Sequence, residues 1–375
     1  MQNPALLPLA MIAAALAGCS PPSQPAARET PKASALPPSK TAAEPTAVAD
    51  THTPPKPGKL KTFGDWTAGC DNALRCTLGA LLPEAGFPAA SGDRPITLNI
   101  TREAGPAGAL SVKVETNDDA ATQPTAPASF AVDDKPIAAH DAAALATAMA
   151  NGTALAIRAA NGRTLATLSL KGAAAALRYI DAEQGRAGST DAIVAKGPAA
   201  SAAPRPALPV ITAVTPSGIP ATLTRRQISQ IRTQAQCDLP DAASGMSDET
   251  FAPDTYALGG GKTLVILPCS TGAYNMISAL FVVDGAKITP ASIDAPAGFE
   301  ATGADTRTPV HSIVNGRFAD GVLTSDAKGR GLGDCGVHQS FVWDGNRLRL
   351  SEQSEMGECR GNIDFITTWR AKVVR

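Results

Sequence analysis

A mainly β chain with a few helices, arranged as two antiparallel-sheet domains stapled by disulfides, is what these 375 residues predict. Three observations carry that prediction. Short runs of alternating or continuous apolar residues, bounded by Gly, Asn and Asp, recur along the chain and read as strands joined by hairpins. Six cysteines follow an export-type N-terminus, and an even number in an exported chain argues for disulfides rather than metal sites or free thiols. A Pro- and Ala-rich stretch, residues 196–209 (KGPAASAAPRPALP), divides the folded part into 60–195 and 210–375, each of ordinary domain size.

Composition narrows the function classes. Lys and Arg number 33 against 34 Asp and Glu, so no basic field points to nucleic acid. With 3 Trp, 3 Tyr and 9 Phe, the cores must be built mainly from Leu, Ile, Val and Ala.

The chain opens with an apolar run, Leu6 to Leu16, ending in Leu16-Ala17-Gly18-Cys19. That run falls short of the roughly 20 apolar residues that span a bilayer. It has the length of a signal-peptide core, and residues 1–18 are read as a signal peptide. Met1 to Leu9 holds no Lys or Arg, so only the α-amino group is positive there. The tetrapeptide resembles the lipobox of bacterial lipoproteins, which implies cleavage before Cys19 and acylation of its thiol. Ser20 after the cysteine implies, by the same resemblance, an outer-membrane anchor facing the periplasm. Several acyl chains would hold it there, since one chain binds only marginally. Residues 19–59 then form the anchor and a tether. Ser20 to Lys59 contains ten prolines and no aromatic residue, too little apolar surface to offset the entropy of ordering.

The six remaining cysteines cluster as Cys70/Cys76, Cys237/Cys269 and Cys335/Cys359. Pairing neighbours is the simplest of the possible connectivities. Chain entropy assigns roughly 2.4 kcal/mol to the short loop and about 3.5 kcal/mol to each longer one.

In the first half, Ile96, Leu98 and Ile100 alternate, as do Leu110, Val112 and Val114, and both read as strands. A helix is predicted from His140 to Ala150, where Leu145 and Met149 lie four apart and Asn151-Gly152 stops it. Leu155 and Ile157 alternate, and Thr164 to Leu170 is a further strand. Ala173 to Ile180 reads as a short helix packed closely through its alanines.

The second half begins with a helix, since Thr224 and Gln227 have capping-box spacing and Ile228, Ile231 and Ala235 share its buried face. Leu264 to Leu267 and Met276 to Val283 are continuous apolar strands. An internal echo follows: FVVDGAKI from Phe281 and FVWDGNRL from Phe341. Each places Asp-Gly between apolar runs, a hairpin signal. Asn315-Gly316 and Asp320-Gly321 add further turns, and Ile363 to Val374 reads as a last strand.

The FGDW opening with Cys70 and Cys76, the segments SLKGAAAALRYIDAEQGR and YALGGGKTLVILPCSTGAYN, and the late GDCG…FVWDG…C pattern together resemble one family. It is the uncharacterised Gram-negative periplasmic family catalogued as domain of unknown function 1176. The first half is also similar to the invasion-associated locus B family, which shares an FGDW opening, a nearby cysteine pair and a late small-residue segment. Neither resemblance implies a reaction, a cofactor or catalytic residues.

Several motifs invite chemistry. Gly259-Gly260-Gly261-Lys262-Thr263 looks like a phosphate loop, but Tyr256 stands where the first glycine belongs and a strand follows in place of a helix. Gly331 to Gly336 fits GxGxxG by letter but precedes a strand, the reverse of the required context. Cys335 and His338 have C-x-x-H spacing, yet zinc needs two more ligands and a disulfide would consume the thiol. Ser270 with His311 or His338 and Asp334 could be assembled into a hydrolytic triad, without any G-x-S-x-G elbow to support it. The pairs Asp133/Asp134 and Glu355/Glu358 read as solvated loop charges. Trp66, Trp343 and Trp369 are assigned to cores. No metal, cofactor or catalytic residue is expected. The expectation is a non-catalytic binding or scaffolding protein of the envelope, its partners the membrane through Cys19 and an envelope protein or polymer. A hydrolase of envelope polymers and an invasion-associated or inhibitor-type factor are the alternatives.

Overall fold

The computed structural model describes residues 53–83, 96–115, 127–237, 251–298 and 312–375. In the first half, β1 (Lys61–Phe63), β2 (Trp66–Cys70), β3 (Cys76–Ala80), β4 (Thr97–Arg102) and β5 (Leu110–Glu115) form an antiparallel meander in chain order. A second sheet has the order β7 (Lys135–Ala138), β6 (Pro127–Val132), β8 (Ala154–Ala159), β9 (Thr164–Ser169). Two helices complete this half: α1 (Ala142–Met149) and α2 (Ala173–Glu183). Asp141 caps α1 by accepting from the Ala144 amide. The alternation of Leu98 with Ile100 and of Leu155 with Ile157 turns these side chains inward. They meet Trp66, Leu145, Met149, Leu177 and Ile180 in one core. Ala173 and Ala176 are wholly buried, so the alanine run lets α2 lie close against β1 and β2.

The second half is a sandwich. One sheet has the order β11 (Asp254–Gly259), β12 (Lys262–Thr271), β13 (Met276–Asp284), β14 (Lys287–Pro290), with β15 (Ser312–Val314) also on β13. The other is a meander of β16 (Arg317–Ala319), β17 (Val322–Lys328), β18 (Gly336–Trp343), β19 (Leu348–Met356) and β20 (Ile366–Arg370). Leu264, Ile266 and Leu280 from the first sheet pack against Phe341, Trp343 and Leu350 from the second. Helix α3 (Arg225–Ala235) opens with the expected Thr224/Gln227 capping box. It lays Ile231 and Ala235 over Val265, Leu267 and Phe281 on the outer face of the first sheet, while Ile228, expected on the same buried face, is only partly buried near the start of the helix. Both faces of β12 and β13 are therefore covered, which is why their sequences are continuously apolar instead of alternating.

Three turn expectations resolve differently. Asp320-Gly321 is a two-residue hairpin turn with both residues at positive φ (51° and 76°), the geometry that matches strand twist. The two echoed Asp-Gly segments both make hairpins, one in each sheet, but with a two-residue loop after Asp284 and a four-residue loop between Trp343 and Leu348. Asn315-Gly316 makes no hairpin: it carries the chain from one sheet to the other, because β15 pairs with β13 and β16 with β17. The expected single strand from Ile363 to Val374 is two. β20 stays on β19, while β21 (Lys372–Val374) leaves at Ala371 to pair in parallel with β10 (Val210–Thr212).

Cys70–Cys76, Cys237–Cys269 and Cys335–Cys359 are the three disulfides, the neighbour pairing. Residues 196–209 form a strap pinned to the first half, where the Gly105 amide donates to Pro204 O and the Arg205 guanidinium to Ala104 O. The two halves interlock through the end of the chain. Asn362 Nδ2 donates to Ala80 O and Asn99 Oδ1 (both 2.9 Å), and Arg370 Nε to Asp71 Oδ2 (2.5 Å). The Arg360 guanidinium reaches Leu82 O and Asp65. Residues 53–375 thus make one compact unit.

Candidate functional site

The interior of the sandwich changes character along β18 and β19. Phe341 opposes Leu350 and Trp343 opposes Leu348, all apolar. Further along, Gln339 opposes Gln353 and Val337 opposes Glu355. Alternation puts Gln339 on the same face as Phe341, and the bulge in β19 keeps Gln353 and Glu355 on the face of Leu350. A polar strip therefore continues the apolar core toward one end of the sandwich.

That end opens into a cleft of about 780 Å³. Pro55, Pro57 and Lys59 line it from the chain entering the body, Ala295 and Pro296 from the segment after β14, and Gln353, Glu355 and Met356 from β19. The Cys335–Cys359 disulfide lines it too. The entering chain lies close because Gly58 donates its amide to Thr368 O (2.8 Å) and has no side chain; a Cβ there would sit 1.9 Å from Cys70 O.

A chain of hydrogen bonds leads to Glu355. The Gly298 amide donates to Gln339 Oε1 (2.9 Å), and Gln339 Nε2 donates to Gln353 Oε1 (2.7 Å) and Pro296 O (2.9 Å). Gln353 Nε2 donates in turn to Glu355 Oε1 (2.5 Å), which also accepts from Thr368 Oγ1 (3.3 Å). Both glutamines are at most 2% exposed, so their amides are fixed by partners instead of by water. Burial raises the Glu355 pKa above the ordinary carboxylate value, and the bonds from Gln353 and Thr368 oppose this only in part.

The rim is braced by several loops. Tyr274 OH donates to Gly329 O (3.0 Å) and Asn275 Nδ2 to Lys328 O (2.8 Å), tying the β12–β13 loop to the β17–β18 loop. Asp334, its side chain wholly buried, pairs with Arg330 and accepts from the Gly361 amide (2.6 Å). Gly336 faces Ala327 O so closely that a Cβ would approach to 1.9 Å.

The residues singled out from sequence scatter. Cys19 and His311 lie outside the described residues. Ser270 stands on β12 and His338 on β18, in opposite sheets, and His338 Nδ1 is bonded to Asp326, which raises the imidazole pKa. Gly259 to Gly261 form the β11–β12 hairpin turn, with Lys262 Nζ reaching Gly345 O (3.2 Å). Gly331 to Gly336 form the loop that the Cys335–Cys359 bridge closes, and the bridge occupies the thiol of the C-x-x-H pair. Asp133 is a structural acceptor, taking the Thr153 hydroxyl (2.7 Å) and the Ala154 amide (3.0 Å), which hold its pKa down. Glu358 accepts from Thr62 Oγ1, whereas Glu355 is the carboxylate at the cleft. Trp66 and Trp343 are core residues, and Trp369 is half-buried with its indole N–H on Leu350 O. Sequence reasoning missed Gln339 and Gln353, although Val337, Gln339 and Phe341 alternate and so mark Gln339 as facing inward. Among the described residues no group of three or more His, Cys, Asp and Glu is placed to hold a metal.

The chain is similar to the uncharacterized protein YpfG of Escherichia coli (strain K12), with 31% identity over 199 residues, 51% of this chain. It spans about half of that relative's length (55%). No solved structure matches. A family model described as "Protein of unknown function (DUF1176)" matches residues 60–372, which takes in both halves and every residue of the Gln339–Gln353–Glu355 strip, and the chain belongs to that family.

Proposed function

We propose that this is a lipoprotein of the cell envelope, anchored through Cys19 on the periplasmic face of the outer membrane, that binds another envelope component in the Glu355 cleft without chemically altering it. One observation carries the reading: a hydrogen-bonded strip of buried amides ends on a half-buried carboxyl group that faces an open cleft. Such an array is fixed before any ligand arrives, so little ordering is needed on binding. Among the described residues, the titratable side chains lining the cleft are Lys59 and Glu355. They make a recognition set, not the pair of carboxylates or the nucleophile with a base that hydrolysis uses. The lipobox-like Leu16 to Cys19, the proline-rich segment and the three disulfides support an exported setting. So does the resemblance of the first half to the invasion-associated locus B family. A tether lets the body reach a partner while the anchor fixes its base.

The test is site-specific photo-crosslinking in cells. Gly357 lines the cleft, and a Cβ placed there meets nothing within 4 Å, so a photoreactive residue fits without displacing the wall. Ala286, exposed in the β13–β14 turn, is the control. The expected result is a discrete crosslinked product from position 357, none from position 286, and a weaker product when Cys19→Ala removes the anchor. The same products from both positions, or none from position 357, would overturn the reading.

A further inference from the structure

Resting on the binding role just described, we propose that the cleft is specific for a ligand presenting a primary ammonium group on a slender apolar stem, with Glu355 as its counter-ion. Among the described residues, each fully buried acid has a compensating partner. Asp65 pairs with Arg360, Asp71 with Arg370, Asp294 with Arg349 and Asp334 with Arg330, while Asp181 accepts three backbone amides from residues 193–195. Removing a carboxylate from water is costly unless a cation or several N–H groups replace the lost hydration. Glu355 departs from that pattern. Among the described residues its two hydrogen bonds come from neutral donors, and both arrive at Oε1. Lys59 lines the same cleft but forms no ion pair with Glu355.

Oε2 is therefore the atom left for an occupant, in a site where an arriving positive charge would complete the carboxylate's coordination. The amide chain from Gly298 through Gln339 and Gln353 holds the carboxyl group in place, since each Nε2 is committed to the next oxygen. The remaining walls shape the ligand. Leu60 and Pro296 offer hydrocarbon for a stem, and Gly357 leaves the mouth open. Lys59 disfavours a second positive charge on the same ligand.

The probe is n-pentylamine, compared with pentanoate and 1-pentanol, which share its stem and replace the ammonium by an anion or a neutral hydroxyl. Binding to the full-length chain is read by saturation-transfer NMR at neutral pH, and affinities by competition. Pentylamine should bind, pentanoate and pentanol at least about thirtyfold more weakly, the loss typical when one member of a buried hydrogen-bonded charge pair is removed. Glu355→Gln, which keeps the shape and removes the charge, should lose a similar factor. Equal binding of the three probes, or undiminished pentylamine binding by Glu355→Gln, would overturn the proposal. Preferential binding of pentanoate, altered by Glu355→Gln, would overturn ammonium specificity while leaving the cleft a binding site. The binding role itself stands or falls with the crosslinking at position 357.

Discussion

Trp66→Ala is expected to destabilise the protein by about 3–5 kcal/mol, the range for deleting a large buried aromatic side chain. Trp66 is 0% exposed, and its indole N–H donates to Ser169 O (2.9 Å), so it fastens the first sheet to the end of β9. β2 is buried at every position, so the surrounding backbone has little room to close over the cavity. Urea-induced unfolding reads the effect as a lower midpoint. Trp369→Ala, at a half-buried position, should cost distinctly less. A loss below about 1 kcal/mol for Trp66 would mean that this core is not the one described.

The second large effect is expected at the seam between the halves. Asp71 accepts the Ala73 and Arg75 amides on Oδ1 and the Arg370 guanidinium on Oδ2. Its side chain is wholly buried, so Asp71→Ala leaves two amides and a guanidinium without their acceptor. Breaking a buried pair from one side typically costs about 3–5 kcal/mol. Because the bond joins the β2–β3 turn to β20, the loss should also weaken coupling between the halves. Calorimetry should show one cooperative transition for the wild type and a broadened or split one for the variant. A single sharp transition at an unchanged Tm would show that the seam contributes little.

Much of the architecture was legible because it follows from local chemistry. The Thr224/Gln227 spacing marked the start of α3, and the alternations at Leu98/Ile100 and Leu155/Ile157 gave the inward faces. The even cysteine set with its clustered spacing anticipated the three bridges. Other features depend on contacts distant in the chain. Asp133-Asp134 form a tight hairpin turn at positive φ (46° and 62°) without a glycine, stabilised by Thr153 and Ala154 some twenty residues away. The break at Ala371 arises because β10, more than 150 positions earlier, offers β21 a parallel partner. The seam could not be foreseen for the same reason: Asp71, Asn99 and Asp65 carry no local sign that residues 360–370 will meet them.

The candidate site was legible in pieces only. From the sequence alone, the glycine-rich loop and its cysteine read as an apparent nucleotide motif, and Glu355 as part of an ordinary acidic pair. What unites them is the register of β18 and β19, which sets Gln339 against Gln353 and turns Glu355 into the cleft. A glutamine in the inward phase of an apolar strand is a weak signal by itself, since its meaning depends on which residue lies across the sheet.

Among the described residues no cation pairs with Glu355, and the effect of this carboxylate on stability is the most direct test of the binding site. Burial raises its folded-state pKa above the unfolded value, so the folded state prefers the protonated form. The stability this confers is present below the unfolded pKa and is lost as pH rises through the folded pKa. The measurement is the Tm of the wild type and of Glu355→Gln from acid to neutral pH, without ligand. The expected result is a variant more stable than the wild type at neutral pH, with the difference narrowing in acid. A variant that is less stable at neutral pH would mean that the carboxylate is already compensated within the fold, and would contradict the account.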